Sequence, residues 1–480
     1  MKLSTYPRAL VIIFLLTLPF VNPWVRGDGV GYYAYLRSLL VQHELRFEGD
    51  WLHSNWPYFI PTLDAAGHVQ ADYTRTGHLP NRYAVGASML WTPFLVPVHV
   101  VMVTLGKAGV NVRADGFSKP YLLAMALATG LYGFVGLGLS FRLASFYVRE
   151  PWAFLATLGI WFASSLPVYM YFNPSYSHAH SVFVVALLLW YWRRTRPERA
   201  LAQWAVLGLL SGLMLDVYYP NIAILLVPLM ESLRRYWLEW RTPGHNWRAL
   251  RRLLSANILY ACLALVAFSP TLITRQIIYG HPWESGYGDM GFAHGFHPAL
   301  WQPLLSSNHG LLSWTPIVIP ALVGLVLLRK YDRELATYSL AAFAALYGIV
   351  ACYPQWHGMS SYGNRFFISL TPFFVLGLAV TLNEAARWFK RERTAMASAV
   401  LAIGALILWN LAFVFQWGSG LIPHVGPISW KQMAYNQVEA VPRRLGSELK
   451  FYFTNRSKMM QQIGCEDVQR TRQQSTQPCE

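Results

Sequence analysis

The chain has 480 residues, of which 54% are hydrophobic and only 13% charged. Soluble domains usually carry about 25% charged residues, so this composition excludes an ordinary soluble protein and indicates a polytopic membrane protein. The net charge of +16 does not indicate a nucleic-acid partner, because the basic residues fall in short clusters between apolar segments and form no single patch.

The first apolar segment follows Lys2 and Arg8 and ends near Pro23. A cleaved signal peptide is the alternative interpretation, but residues 22–26 lack the small side chains that a signal peptidase requires. We therefore predict a first transmembrane helix with a cytoplasmic N-terminus. Asp28 then emerges on the external face. A carboxylate at the edge of a bilayer is energetically costly, which makes Asp28 a candidate functional residue.

Further apolar segments cover residues 84–106, 120–147, 152–171, 179–193, 201–217, 220–233, 256–274, 311–328, 335–353, 366–383 and 395–416. The strongly basic connections, 193–199, 234–252, 329–333 and 387–393, should all be cytoplasmic. If all four connections are cytoplasmic, one of the early apolar segments cannot cross the membrane. We predict that 84–106, which Pro93 and Pro97 interrupt, lies in the outer interface, which leaves about eleven crossings and an external C-terminus.

Under this topology, residues 1–420 form one helical membrane domain, and residues 421–480 form a polar external tail whose end is expected to be disordered. External segments are expected at 25–119, 173–180, 275–310 and 353–367. The first of these is long and is expected to carry interfacial helices. If the tail is external, Cys465 and Cys479 could pair there, whereas Cys262 and Cys352 lie in apolar segments.

Two short runs carry a resemblance to a known family. Residues 28–33 read Asp-Gly-Val-Gly-Tyr-Tyr, and residues 356–367 read Trp-His-Gly-Met-Ser-Ser-Tyr-Gly-Asn-Arg-Phe-Phe. With the long first external loop, they resemble the GT-C superfamily of integral-membrane glycosyltransferases, in particular bacterial relatives of protein O-mannosyltransferases and of the lipid A aminoarabinose transferase. The architectural resemblance covers about residues 1–420, while the residue-level resemblance is confined to the two runs.

The resemblance implies an all-α, GT-C-like bundle in the cytoplasmic membrane with its active site on the external, periplasmic face. The donor would be a polyprenyl-phosphate sugar such as an undecaprenyl-phosphate sugar, and the acceptor a lipid, a glycan or a protein. It also implies that Asp28 acts as general base toward the acceptor hydroxyl or orients that hydroxyl. The family often has a second acid beside this one, where this chain has Gly29. That departure argues against a metal held by adjacent acids, although a divalent metal near Glu44, Glu48 or Asp50 stays open.

The chemistry also needs cations, because the departing phosphate is an anion. Arg365 is the first candidate phosphate ligand, since its planar fork suits phosphate oxygens. Further candidates are His357, Arg82 and Arg275. The plainer alternatives are that Arg365 only reaches toward lipid headgroups and that Asp28 is an ordinary turn residue between glycines.

Other polar or aromatic side chains are candidates for the cavity wall: Tyr32, Tyr33, His178, His180 and Asp216. The two tyrosines are alternatively interfacial anchors. No third ligand accompanies the two histidines, so no metal site is predicted there.

Two other functions are compatible with the sequence. A transporter or flippase could use Asp28, His178 and Asp216 as a polar pathway, although no repeated pair of broken helices appears. A surface-polysaccharide polymerase or ligase would share the lipid-linked donor but lack the early aspartate loop.

Overall fold

The structure is a computed structural model that describes residues 5–53, 62–63, 69–70, 73–242, 247–288, 291 and 297–471. Apart from one antiparallel ladder that pairs Thr62–Leu63 with Val69–Gln70, the regular structure of these residues is helical. Six of the described helices are long and apolar enough to cross a membrane, and two shorter apolar helices accompany them. The predicted class, an all-α multi-pass membrane protein, is confirmed.

The first half of the chain forms α1 (Thr5–Thr17), α2 (Asp28–Val41), α3 (Glu48–His53), α4 (Gly86–Lys107), α5 (Lys119–Ala144), α6 (Glu150–Phe162), α7 (His178–Arg194), α8 (Leu201–Val217) and α9 (Leu226–Arg241). The second half forms α10 (Trp247–Tyr279), α11 (Gln302–Leu305), α12 (Leu311–Trp314), α13 (Val318–Leu327), α14 (Arg333–Ala351), α15 (Thr371–Ala386), α16 (Glu392–Gly418), α17 (Trp430–Val438), α18 (Ala440–Thr454) and α19 (Arg456–Thr471). Short 3₁₀ segments precede or follow several of these helices, at Leu18–Phe20, Tyr219–Leu225, Leu328–Lys330 and Arg365–Leu370, and a π-helix covers Val168–Phe172.

One end of the bundle is held together by ion pairs between the basic connections. The Arg199 Nη1 lies 2.5 Å from Glu231 Oε2, and both side chains are almost fully buried. Arg196 bonds Asp332 at 3.0 Å and Glu334 at 2.7 Å. Removing one partner of such a buried pair costs about 3–5 kcal/mol, because the other charge is left without compensation. These contacts bring three of the predicted cytoplasmic connections to the same end, which we call the basic end.

The fourth connection joins the basic end through the ion pair of Arg149 with Glu392. Counted among the described residues, eleven helices run between the basic end and the opposite end: α1, α5 to α10 and α13 to α16. Several of these helices, such as α7 and α13, are shorter than a full membrane span. Six described helices could cross a membrane by length and composition, and α4 is one of them, so the predicted number of about eleven crossings stays a prediction.

The helix α4 contains the segment that we predicted to lie at the outer interface. It is continuous through Pro93 and Pro97, and by length and composition it could cross a membrane. It runs antiparallel to α5, because Tyr132 of α5 bonds the Leu90 carbonyl while Tyr121 bonds His99. Gly86 is therefore level with about residue 136 of α5, roughly 12 Å from the basic end of that helix at 1.5 Å per residue. This register favours a helix that only dips into the membrane, which stays a prediction.

The described part of the C-terminal tail forms α17, α18 and α19. The end of the tail, which we predicted to be disordered, lies outside the described residues. Tyr452 donates a hydrogen bond to the Phe20 carbonyl, and Arg456 donates to the carbonyls of Pro19 and Val21. These contacts place the tail at the end where α1 leads to Asp28, opposite the basic end. Cys479 lies outside the described residues, so the predicted pairing with Cys465 is untested.

Candidate functional site

Asp28 and Arg365 form an ion pair. The Asp28 Oδ2 is 2.7 Å from the Arg365 Nη2, and both side chains are mostly buried, with exposed fractions of 21% and 12%. Asp28 is the first residue of α2, and Arg365 is the first residue of the 3₁₀ segment that leads into α15. The two runs that carry the family resemblance are separated by more than 320 residues along the chain but meet in one site.

The second oxygen of the Asp28 carboxylate is bound by Tyr83. The Tyr83 hydroxyl donates to Asp28 Oδ1 at 2.9 Å, and the Tyr32 ring packs on the Tyr83 ring with centroids 4.9 Å apart. Arg82 reaches the same hydroxyl, with its Nη2 3.4 Å from Tyr83 Oη. Its guanidinium also lies over the ring of Tyr287. Arg82 and Tyr32 therefore lie at the Asp28 site, and their predicted roles in phosphate binding and in the cavity wall stay predictions.

Three glycines allow neighbouring segments to approach the start of α2. A Cβ at Gly27, whose φ is +54°, would be 2.3 Å from the Tyr176 hydroxyl. A Cβ at Gly29 would be 1.9 Å from Ser175 Oγ, and one at Gly31 would be 2.0 Å from the Tyr83 ring. Real Cβ atoms essentially never come this close. The Gly-Asp-Gly-Val-Gly spacing is therefore a packing requirement that lets α2 carry Asp28 between these neighbours.

Arg365 lies among aromatic rings and the loop that precedes it. Its guanidinium is 5.2 Å from the centroid of Tyr176, and its Nε is buried without a hydrogen-bond partner among the described residues. His357 belongs to this loop, and its Nδ1 accepts a hydrogen bond from the Met359 N–H. Burial and the neighbouring Arg365 lower the pKa of His357 below its usual value. The imidazole is thus neutral at pH 7, with Nε2 carrying the proton.

His309 is a residue that the sequence analysis did not single out. It is fully buried, stacks on Trp314 with ring centroids 4.5 Å apart, and has a left-handed backbone with φ +61°. Burial, together with the nearby charges of His357 and Arg365, lowers its pKa to about 3. The only sequence signal was its position in the Asn-His-Gly stretch of an external loop, where Asn, His or Gly tolerate this backbone conformation.

Arg275 requires a correction. We predicted a phosphate ligand, but its guanidinium donates to the carbonyls of Asn81, Arg82 and Tyr83 and to the Tyr219 hydroxyl, and its side chain is buried. These contacts occupy the face with which an arginine would bind phosphate. Arg275 instead holds the segment that presents Tyr83 to Asp28, so it is a positioning residue.

The remaining predicted wall residues are spread over different surroundings. His178 is closest to the site: its ring packs on Tyr169 at 4.8 Å and on Tyr218 at 5.6 Å. His180 is fully buried between Trp91 and Tyr132.

Tyr33 and Asp216 also lie away from the Asp28 carboxylate. Tyr33 is on another face of α2, where its hydroxyl donates to the Gly116 carbonyl. Asp216 is fully buried and accepts a hydrogen bond from Thr271 at 2.5 Å. The prediction that Tyr33, His180 and Asp216 line one cavity with Asp28 is therefore wrong, because helix packing turns each of them toward other neighbours.

The acidic residues considered as metal ligands do not fit that role. Ser175 fills the space beside Gly29, so no second acid can stand next to Asp28. Glu44 pairs with Arg46, and Asp50 pairs with Arg37. Within the described ranges, no group of three or more His, Cys, Asp or Glu side chains is arranged to hold a metal ion.

No family model and no curated protein sequence matches the chain. Among solved structures, the crystal structure of ArnT from Cupriavidus metallidurans in the apo state is similar over 97% of this chain and 78% of that one, with 13% sequence identity and a TM-score of 0.44. A similarity of this size assigns neither a family nor an activity to the chain.

Proposed function

We propose that the chain is a glycosyltransferase that moves a sugar from a polyprenyl-phosphate donor to an acceptor hydroxyl, on the external face of the cytoplasmic membrane. The observation that carries the proposal is the 2.7 Å pair between Asp28 Oδ2 and Arg365 Nη2. Transfer from a lipid phosphate to a hydroxyl requires a base for the acceptor proton and a cation for the phosphate. The site supplies both side by side, at the end of the bundle opposite the basic end.

In the proposed reaction, the acceptor oxygen attacks the anomeric carbon and its proton passes to Asp28. The bond between that carbon and the phosphate oxygen breaks, and its electron pair stays on the phosphate. Attack from the side opposite the leaving group inverts the anomeric configuration. No nucleotide takes part, because the donor sugar arrives already linked to lipid.

Arg365 has the unused hydrogen-bonding capacity that this role needs. A guanidinium has five N–H donors in a planar fork, and only the Nη2 is engaged with Asp28. Its buried Nε has no partner within the described chain, and a buried N–H without an acceptor is uncommon in folded proteins. A phosphate oxygen would satisfy it. Arg82 and the neutral His357 flank the pair and offer further donors to the same anion.

Both oxygens of Asp28 are occupied, by Tyr83 and by Arg365. A donor phosphate that takes over part of the Arg365 fork would weaken the contact with Oδ2. The oxygen that must receive the acceptor proton would then become available when the donor is bound. The donor is accordingly expected to bind before the acceptor.

The experiment is turnover of a radiolabelled polyprenyl-phosphate hexose or pentose by the purified protein in detergent, without an ion gradient. We expect wild type to release polyprenyl phosphate and Asp28→Asn to lose this activity while still folding, with a lower melting temperature because Arg365 loses its charged partner. Asp115→Asn is the matched control, because Asp115 accepts hydrogen bonds from the N–H groups of Phe117 and Ser118 and an Asn can do the same.

Full activity in Asp28→Asn would remove Asp28 from the mechanism. Absence of turnover in wild type, together with gradient-dependent flux in vesicles, would instead favour the transporter. The buried carboxylate of Asp216, whose Oδ2 has no hydrogen-bond partner among the described residues, is the feature that favours that second function.

A further inference from the structure

A cavity of about 130 Å³ lies beside α2, on a face that does not carry Asp28. It is lined by Trp24, Val25, Val30, Tyr33, Asp50, His53, Phe117 and Leu122. Most of this wall is apolar or aromatic. Its polar groups include the carboxylate of Asp50 and the imidazole of His53, both of which belong to α3.

The cavity and the Asp28 site use two different stripes of one helix. Val30, Tyr33 and Arg37 follow the i, i+3, i+7 spacing of one face, and Asp28 and Tyr32 follow the i, i+4 spacing of another. Tyr33 is five residues beyond Asp28, roughly 7.5 Å along the axis. Trp24 and Val25, which also line the cavity, precede Asp28 by only a few residues. The cavity and the Asp28 site therefore lie on two different faces of the first turns of α2.

Asp50 presents an oxygen that lacks a donor. Its side chain is 2% exposed. The Oδ2 accepts hydrogen bonds from Ser38 Oγ at 3.0 Å and from Arg37 Nη1 at 3.3 Å. The Oδ1 has no hydrogen-bond partner among the described residues. Buried polar atoms are nearly always satisfied, so this oxygen calls for a donor from whatever occupies the cavity.

The surroundings favour a neutral donor over a cation. Arg37 already balances the charge of Asp50. The Arg37 guanidinium also lies 4.4 Å from the centroid of Phe117, whose ring stacks on His53 at 3.9 Å. A cationic ligand would thus find the Phe117 ring occupied and a positive charge nearby. A hydroxyl group beside apolar walls is the better match, and a sugar ring combines hydroxyl edges with apolar C–H faces.

We propose that this cavity is a subsite for one sugar residue of a glycan acceptor, with Asp50 Oδ1 accepting a hydrogen bond from a sugar hydroxyl. The inference rests on the proposed function and narrows its acceptor to a glycan. Because the cavity and Asp28 lie on different faces of α2, the sugar in the subsite is not the one that reacts. The acceptor then has at least two sugar residues, one in the subsite and another at Asp28.

The test is saturation-transfer NMR with the full-length protein in detergent and methyl hexopyranosides as probes. It is run at pH 8, where Asp50 is ionised because burial raises its pKa only to about 7. Leu122 is half-buried at the cavity wall, and Leu123, the next residue of α5, is 46% exposed. Leu122→Trp should fill the subsite and reduce the signal at least fivefold, whereas Leu123→Trp adds the same side chain outside it and should keep the wild-type signal. Asp50→Asn should also weaken binding, since its amide can place a donor where the sugar hydroxyl needs an acceptor, and Glu48→Gln is its control.

An unchanged signal in Leu122→Trp would overturn the subsite, as would a wild-type protein that gives no signal because the cavity holds only water. An equally strong signal from tetramethylammonium would overturn the sugar assignment. If Asp50→Asn does not fold, the tryptophan pair still decides. Failure here is distinct from failure of the proposed function: Asp28→Asn should lose transfer while still binding the methyl glycosides.

Discussion

The backbone of Gly29 lies directly against the side chain of Ser175, so that a Cβ added at Gly29 would be 1.9 Å from Ser175 Oγ and 2.5 Å from Ser175 Cβ. The position next to Asp28 is therefore closed to any side chain. In the GT-C superfamily, which the sequence resembles, a second acidic residue often occupies this position. Here the loop before α7 fills the space instead, so the carboxylate works with an arginine and a tyrosine as its partners.

We expect Gly29→Ala to destabilise the protein by about 1–3 kcal/mol, the usual cost of overpacking, and to lower the melting temperature in detergent. Replacing Ser175 by glycine in the same chain should restore part of the loss. Gly138→Ala in α5 is the control, because its Cβ would meet no described heavy atom within 4 Å. Equal melting temperatures for Gly29→Ala and Gly138→Ala would contradict this packing.

Arg365→Lys should keep the positive charge near Asp28 but lose the planar fork that can hold Asp28 and a phosphate at once. We expect a loss of at least tenfold in turnover of the lipid-linked donor, which corresponds to about 1.4 kcal/mol, with most of the loss in KM. Arg113→Lys, at an exposed position on the same side, is the control. A variant with wild-type KM would show that Arg365 does not bind the donor.

His309 should make stability depend on acid pH. Its pKa is about 3 in the folded state because of burial, whereas an exposed histidine titrates near 6.5. Below pH 6.5 the unfolded chain therefore binds a proton at this histidine that the folded chain does not bind. The contribution of His309 to the free energy of unfolding is present above pH 6.5 and is lost as the pH falls toward 3. His309→Asn, which tolerates the left-handed backbone, should flatten the melting temperature between pH 7 and pH 5. An unchanged slope would refute this assignment.

Asp50 should have an opposite effect on the pH profile. Burial raises its pKa to about 7, although Arg37 and Ser38 oppose the shift, while the unfolded carboxyl titrates near 3.9. The folded chain keeps a proton that the unfolded chain releases, so this contribution to stability is full below pH 3.9 and is lost as the pH rises toward 7. Asp50→Asn should remove this decline. If the melting temperature of Asp50→Asn fell as steeply as that of wild type between pH 5 and pH 7, Asp50 would not be the cause of the decline.

The contacts of the basic end lead to a topology prediction. A reporter fused after Arg196 should report the cytoplasm, because the ion pairs there gather the connections that the positive-inside rule assigns to that side. A reporter fused after Gly446, in α18, should report the periplasm. Two fusions that report the same compartment would contradict the placement of the tail at the Asp28 end.

Two features could be predicted from the sequence: the grouping of the basic connections at one end and the proximity of Asp28 to Arg365. Both follow from patterns that are visible in the linear sequence. Charge clusters sort to one side of a membrane, and the two polar runs lie next to helices that end on the other side.

Other features could not be predicted, because they depend on contacts between distant segments. The carbonyls that bind Arg275 belong to residues 81–83, almost 200 positions earlier. Nothing near Arg275 in the chain distinguishes an arginine that binds backbone from one that binds phosphate. The same holds for His309, whose surroundings are Trp314, His357 and Arg365. For Asp216 and His180, an apolar segment with one polar residue does not reveal which neighbouring helix that residue faces.

The contacts of Tyr452 and Arg456 with the carbonyls of residues 19–21 have a consequence for the order of assembly. Tyr452 and Arg456 follow residues 19–21 by more than 400 positions, so the ribosome makes these carbonyls long before it makes their donors. A nascent chain that ends before residue 452 therefore lacks the contacts that hold the segment leading into Asp28.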